Sequence, residues 1–161
     1  MQPPLLKAIE ALSFKTPTPV QVQAIPEALQ HKDLMVCAQT GSGKTYAYGL
    51  PMLQRISQQH NLGCSAVVVV PTRELAAQVM QNLTPLASAL DLQVDVVCGA
   101  EAIELQMERL SKPAHVIVAT PGRLLALIQQ GIIACHHVNC MVLDEADRLL
   151  DMGFINDINA I

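Results

Sequence analysis

The chain has 161 residues, 51% of them hydrophobic and 15% charged, with a formal net charge of −4. That balance excludes a disordered tail and a protein that grips nucleic acid through overall positive charge, and the length suits one domain with a single core. No apolar run reaches membrane-spanning length, and Met1 to Pro4 lack the basic-then-apolar layout of a signal peptide, so a cytoplasmic protein without a membrane partner is expected.

In chain order, Leu5, Leu6, Ile9 and Leu12 recur at helical spacing and predict a helix over 3–12. The turn Thr16-Pro17-Thr18-Pro19 follows, then a second helical segment from about Val20. From Asp33 onward, apolar runs at Leu34–Ala38, Ala66–Val70, Val94–Cys98, Val116–Ala119 and Cys140–Leu143 read as buried parallel strands. Helical segments alternate with them, at about Gly43–Ser57, Arg73–Ala89, Ala102–Leu110 and Pro121–Gln130. Pro121 suits a first helical turn, and Thr120 before it is placed to cap. With no Trp, two Tyr and two Phe, the core must be aliphatic. The alternation predicts an α/β domain, a parallel sheet with helices on both faces. Its chemistry then belongs in the loops beyond the carboxyl ends of the strands.

Two loops carry such chemistry. After Leu34–Ala38 comes Gln39-Thr40-Gly41-Ser42-Gly43-Lys44-Thr45, opening a helix. Its glycines let the backbone aim several N–H groups at one anion, the helix dipole adds to them, and Lys44 reaches the β/γ-phosphates. The Thr45 hydroxyl is placed to hold Mg²⁺. Ala38 stands where the strict phosphate-loop pattern has Gly. Further on, Met141-Val142-Leu143 delivers Asp144-Glu145-Ala146-Asp147 to the same sheet edge. There Asp144 would bind Mg²⁺, directly or through water, and Glu145 would orient the attacking water. The competing reading is an acidic helix cap, since acids favour a helix's first turn.

The five cysteines are scattered through apolar segments and do not form a disulfide framework. Cys135-His136-His137 with Cys140 has zinc-type residues, but no second ligand pair stands at finger-like spacing. Cys140 opens an apolar run, where a free Cys serves as a small hydrophobe.

With both loops in place, the chain resembles a DEAD-box helicase along essentially its whole length, the family being named for residues such as Asp144-Glu145-Ala146-Asp147. The resemblance implies a P-loop RecA-like domain that uses ATP and Mg²⁺. Phe14-Lys15-Thr16-Pro17-Thr18-Pro19-Val20-Gln21 resembles the family's Q motif, which implies that Phe14 lies at the nucleotide and that Gln21 reads the adenine edge. A Gln amide matches the donor and acceptor on that edge of adenine and mismatches guanine. Pro71-Thr72-Arg73-Glu74-Leu75-Ala76-Ala77-Gln78 and Thr120-Pro121-Gly122-Arg123 match motifs on the RNA side. They imply RNA contacts at Pro71, Thr72, Arg73, Thr120, Pro121, Gly122 and Arg123, with a surface or structural role the alternative for each arginine. Gly99 begins the family's glycine pair, although Ala100 replaces the second member. Asp147-Arg148-Leu149-Leu150-Asp151-Met152-Gly153-Phe154 continues the family's wording, and Asp147 is implied to couple motifs or domains.

Two departures remain: no aromatic residue precedes Phe14, and the sequence ends at Ile161, before the family's Ser-Ala-Thr motif. The expectation is an N-terminal helicase ATP-binding domain over 1–161, incomplete at its C-terminus, whose partners are RNA and a second RecA-like domain of the same protein. A DNA translocase sharing the two loops, or an ATP-gated RNA clamp, stays open as an alternative.

Overall fold

A strand holds its place in a sheet only where a neighbour pairs with its N–H and C=O groups. Four of the expected apolar runs find such neighbours and one does not. The computed structural model describes residues 1–59, 63–99, 101–112 and 114–161. The chain gathers into two compact units, Met1–His60 with Asn82–Leu92, and Asn61–Gln81 with Gln93–Ile161.

The first unit holds α1 (Pro3–Ala11), α2 (Pro19–Leu29), α3 (Lys44–Ile56) and the latter part of α4 (Arg73–Ser88). Proline at the first helical turn starts both α1 and α2, where its missing N–H removes no helix bond. Leu5 of α1 is fully buried, and the Gln2 N–H donates to Oε1 of the buried Gln54 at 2.7 Å. α3 is buried on all sides along its second half, by Leu50, Pro51, Met52, Leu53 and Gln54.

The run Leu34–Ala38 departs from expectation. It forms no strand, Leu34 and Val36 are exposed, and Met35 is 101% exposed. Its composition favours an extended buried strand, but composition supplies no ladder, and the four-stranded sheet does not include it.

The second unit is built on that sheet: β1 (Ala66–Val69), β2 (Val94–Val97), β3 (Val116–Ala119) and β4 (Cys140–Leu143), in the order β2-β3-β1-β4 and parallel throughout. The first part of α4 follows β1, α5 (Ile103–Leu110) follows β2, and α6 (Pro121–Gln129) follows β3. The short helices α7 (Ala146–Asp151) and α8 (Ile155–Ala160) follow β4. One face of the sheet, with Val67, Val69, Val97, Ile117 and Ala119, packs with Leu124 and Leu127 of α6 and Leu149 of α7. On the opposite face Ala66, Val68, Val116 and Val118 are equally closed to solvent. β1 and β3 are buried along their whole length, which is why their sequences are continuous aliphatic runs rather than alternating ones. β4 is an edge strand: Cys140 and Val142 are half-buried while Met141 and Leu143 are exposed.

His115 stitches the entry side of this sheet. Its Nδ1 accepts the Gln93 N–H at 3.0 Å, its carbonyl accepts the N–H groups of Ser65 and Ala66, and its own N–H donates to the Gln93 carbonyl. An accepting Nδ1 requires the neutral ring, and burial pushes the His115 pKa below its ordinary 6.5. A depressed histidine pKa means that the folded chain binds fewer protons than the unfolded one. The stabilisation is therefore complete above pH 6.5 and drains away as pH falls through the lower folded value. Thermal melts between pH 7.5 and 5.5 should show a falling midpoint. His115→Asn, whose amide oxygen can take the Gln93 N–H without titrating, should flatten that slope.

Candidate functional site

The glycine loop is shaped by backbone conformations that only glycine adopts cheaply. Gly41 has φ +80° and Gly43 has φ +90°, the latter at the N-cap of α3. The Ser42 N–H closes a turn onto the Gln39 carbonyl at 3.2 Å. Lys44 folds back over the loop, donating to the carbonyls of Ala38 at 2.6 Å and Gln39 at 3.0 Å. The loop thus concentrates positive charge and helix-terminal N–H groups in one place. Thr45 follows, half-buried, in the first turn of α3.

The stretch before α2 meets this loop directly. Gln21 accepts the Thr18 N–H on Oε1 at 3.0 Å and donates from Nε2 to the Gly43 carbonyl at 3.2 Å. The first bond is half of a capping box for α2; the second ties the Q-motif glutamine to the phosphate loop. A Cβ on Gly43 would stand 2.6 Å from Gln21 Nε2 and 3.2 Å from Thr18 Oγ1. Phe14 packs edge-on to Tyr46 of α3 with ring centroids 4.7 Å apart, and the Tyr46 hydroxyl reaches Asn82 Oδ1 at 3.4 Å. The residues expected at a nucleotide therefore cluster within one unit. Tyr46 and Thr18, which no reading of the sequence singles out as site residues, complete the cluster. The aromatic brace of Tyr46 is a tertiary contact, and the sequence carries no signal for it.

One polar atom in this cluster, Ser42 Oγ, is buried without a hydrogen-bond partner. Buried hydroxyls are rarely left so, and a phosphate beside the loop gives a donor hydroxyl its acceptor. The loop fits a nucleotide phosphate on that count.

In the second unit, parallel register brings four loops to one edge. β2, β3, β1 and β4 end level at Val97, Ala119, Val69 and Leu143. Cys98-Gly99, Thr120-Pro121-Gly122-Arg123, Pro71-Thr72-Arg73 and Asp144-Glu145 follow them, in that spatial order. Pro71 is buried, and Thr72 accepts the Leu75 N–H on its hydroxyl at 3.2 Å, capping α4, while Arg73 is exposed. Thr120 stands at the N-cap of α6, but its side chain makes no capping bond, contrary to expectation. Its hydroxyl is instead engaged with the buried Cys98 thiol, whose pKa burial pushes up. A Cβ on Gly99 would meet nothing within 4 Å, and the neighbouring Ala100 lies outside the described residues.

Asp144 is buried; its N–H donates to the Val69 carbonyl and its Oδ1 accepts the Glu145 N–H at 2.9 Å. Glu145 is held at φ 51°, ψ 50°, a left-handed conformation rare for a side chain of its size. Such conformations cost about 1–3 kcal/mol and concentrate at functional sites. Its carboxylate meets Arg148 at 3.3 Å, and Asp147 lies in the first turn of α7. Among the described residues no group of three or more His, Cys, Asp or Glu side chains is gathered to hold a metal.

Arg123 is committed inside the domain: Nη1 donates to the Glu101 carbonyl and to Gln106 Oε1, both at 3.0 Å. Arg109 bonds Asp95 at 2.8 Å and Glu101 at 2.7 Å, and together with Gln106 it holds the Glu101 carboxyl below its ordinary range. Gln106 and Arg109 lie on an ordinary amphipathic helix, so their sequence positions carry no functional signal.

The glycines yield a stability test. Gly41→Ala should lose only the backbone penalty of a left-handed residue, about 1–2 kcal/mol. Gly43→Ala should lose more, because the added Cβ also collides with Gln21. Urea unfolding of the two variants measures the difference, and equal losses would mean that Gln21 does not pack against the loop.

The profile of the DEAD/DEAH box helicase family matches residues 18–161. A DEAD-box ATP-dependent RNA helicase CshA of Geobacillus kaustophilus is 45% identical over 157 residues, covering 98% of this chain and 33% of the relative. The pre-mRNA-processing ATP-dependent RNA helicase prp-5 of Neurospora crassa is 43% identical over 158 residues, covering 94% of this chain and 13% of the relative. Among solved structures, the RNA helicase Prp28 of Chaetomium thermophilum bound to ADP superposes with a TM-score of 0.93 at 38% identity, covering 100% of this chain and 40% of that one. A hypothetical ATP-dependent RNA helicase from Sulfolobus tokodaii gives a TM-score of 0.89 at 39% identity, covering 98% and 45%. This chain spans about a third of the length of the CshA relatives. Its α/β fold is accordingly that of the RecA-like helicase domains, and the chain belongs to the DEAD/DEAH box helicase family.

Proposed function

We propose that this chain is the ATP-binding half of an ATP-dependent RNA helicase that locally opens RNA duplexes. The observation that carries the reading is the bond from Gln21 to the Gly43 carbonyl, which joins a base-reading amide to the phosphate loop. Gln21 retains a second amide hydrogen and a carbonyl lone pair for the adenine edge. The hydroxyl of Ser42 and the backbone of Gln39 to Gly43 hold phosphate, with Lys44 turning from its carbonyls to the β/γ oxygens. In the first unit Thr45 is a Mg²⁺ ligand; in the second Asp144 is a Mg²⁺ ligand, partly through water, and Glu145 orients the attacking water. When bound, Mg·ATP supplies the phosphoryl group and the charge neutralisation for hydrolysis.

On the RNA side, the level loop edge supports strand binding through Thr72, Arg73, Gly99, Thr120 and the N-terminus of α6 at Pro121-Gly122. Helix N-termini and hydroxyls suit a chain of net charge −4, which has little general attraction for a polyanion. A second RecA-like domain of the full-length protein closes the site, and Asp147 couples the two halves. A cytoplasmic location agrees with the reading; among the described residues no helix is long and apolar enough to cross a membrane.

Calorimetry with Mg²⁺ tests the nucleotide site. ADP should bind and GDP should not, Lys44→Ala should abolish binding, and Gln21→Ala should remove the preference between the bases. Equal binding of GDP by the unmutated chain would sink the base-reading role.

Turnover separates the half from the whole. An arginine supplied in trans is worth roughly 10³–10⁵ in phosphoryl-transfer rate. Steady-state ATPase of these residues alone should therefore stay close to background, while the full-length protein responds to RNA. Rapid RNA-stimulated turnover by the isolated chain would overturn the half-site reading, and equal stimulation by DNA would point to a DNA translocase.

A further inference from the structure

At the carboxyl ends of β2 and β3, a buried amide ties together two of the loops assigned above to RNA. Gln106 of α5 is 0% exposed. Its Nε2 donates to the Cys98 carbonyl at 2.6 Å and to the Glu101 carboxylate at 2.9 Å, and its Oε1 accepts from Arg123 at 3.0 Å. The same Arg123 nitrogen donates to the Glu101 carbonyl at 3.0 Å. The carbonyls on both sides of Gly99, at positions 98 and 101, are thereby fastened, one by a side chain of α5 and the other by a side chain of α6. On the outer side Arg109 bridges Asp95, the Val96 carbonyl at 2.7 Å and the Glu101 carboxylate.

A chain that binds phosphate by backbone N–H groups depends on their spacing, because it has little net charge to compensate for misplaced donors. We propose that Gln106 and Arg123 are positioning residues for RNA binding: they clamp Cys98 and Glu101 to the N-terminal turn of α6, fixing Gly99 relative to Thr120. Arg123 then serves the RNA face through the loop it holds rather than as a phosphate ligand. This inference rests on the RNA reading proposed above.

The test uses the full-length protein, a fluorescein-labelled oligouridylate, Mg²⁺ and a non-hydrolysable ATP analogue. Gln106→Glu keeps the size and the acceptor for Arg123 but sets a carboxylate against the Cys98 carbonyl and Glu101. RNA affinity should fall tenfold or more while ADP affinity stays within twofold of wild type. Arg123→Gln should weaken RNA binding without changing the slope of log affinity against log salt concentration. A direct phosphate contact would instead lower that slope by about 0.7. Arg123→Lys keeps the charge, but its ammonium sits one bond nearer the backbone than Nη1 and falls short of the two acceptors, so it should not restore affinity. Arg109→Met, at a partly exposed position, should cost a smaller factor of about three, judged against the modest strength of exposed ion pairs.

RNA affinity within twofold of wild type for both Gln106→Glu and Arg109→Met would overturn the clamp. So would a reduced salt slope in Arg123→Gln, or full rescue by Arg123→Lys. If wild-type protein binds no RNA, the RNA reading itself falls; if wild type binds and the variants match it, only the clamp falls.

Discussion

Val97, Ala119, Val69 and Leu143 stand level across a parallel sheet, and the candidate site depends on that register. Parallel pairing points every strand the same way, so each loop leaves at the same edge. A slip of one residue in any strand would exchange its two faces and draw its loop back from the row. The complete burial of β1 and β3 is what makes such a slip costly. Packing of apolar side chains in mid-sheet thus fixes the positions of polar groups at its end.

Much of this was legible in the sequence because the signals are local. Four apolar runs became strands and every expected helix formed, with boundaries shifted by a residue or so, because aliphatic runs and helical periodicity act over a few residues. The glycine loop was equally legible, since left-handed glycines before a helix have few other uses. What stayed hidden was relational. Leu34–Ala38 has strand composition, yet a strand is a property of a pair. Thr120 sits where a capping residue belongs, but its hydroxyl is drawn to Cys98, which is distant in sequence. Gln106 looks like an unremarkable polar position of a short helix until folding buries it against the Cys98 carbonyl and the Glu101 carboxylate. Neither its burial nor its partners leave a trace in residue spacing.

The acidic character of the chain explains the style of the site. A basic protein can hold phosphates with loosely placed lysines, since charge acts at a distance and tolerates error. On the reading proposed above, the donors besides Lys44 and Arg73 are helix termini, hydroxyls and glycine-loop N–H groups, which are short-ranged and directional. Such donors give selectivity in exchange for strict geometry. On that reading, side chains that contact these loops brace them for an anion: Gln21 on Gly43, Tyr46 on Phe14, Arg123 on Glu101.

The left-handed backbone of Glu145 has a consequence for how this protein responds to selection. A glycine there would lose about 0.5–1 kcal/mol to chain entropy. It would recover about 1–2 kcal/mol of conformational strain. The balance favours a residue that cannot act on water at all. If Glu145 orients water as proposed, a library of random variants sorted only for heat resistance would drift toward inactivity at position 145, and the enriched clones would look like improvements until they were assayed. In this chain the most informative carboxylate is one that a stability criterion would discard.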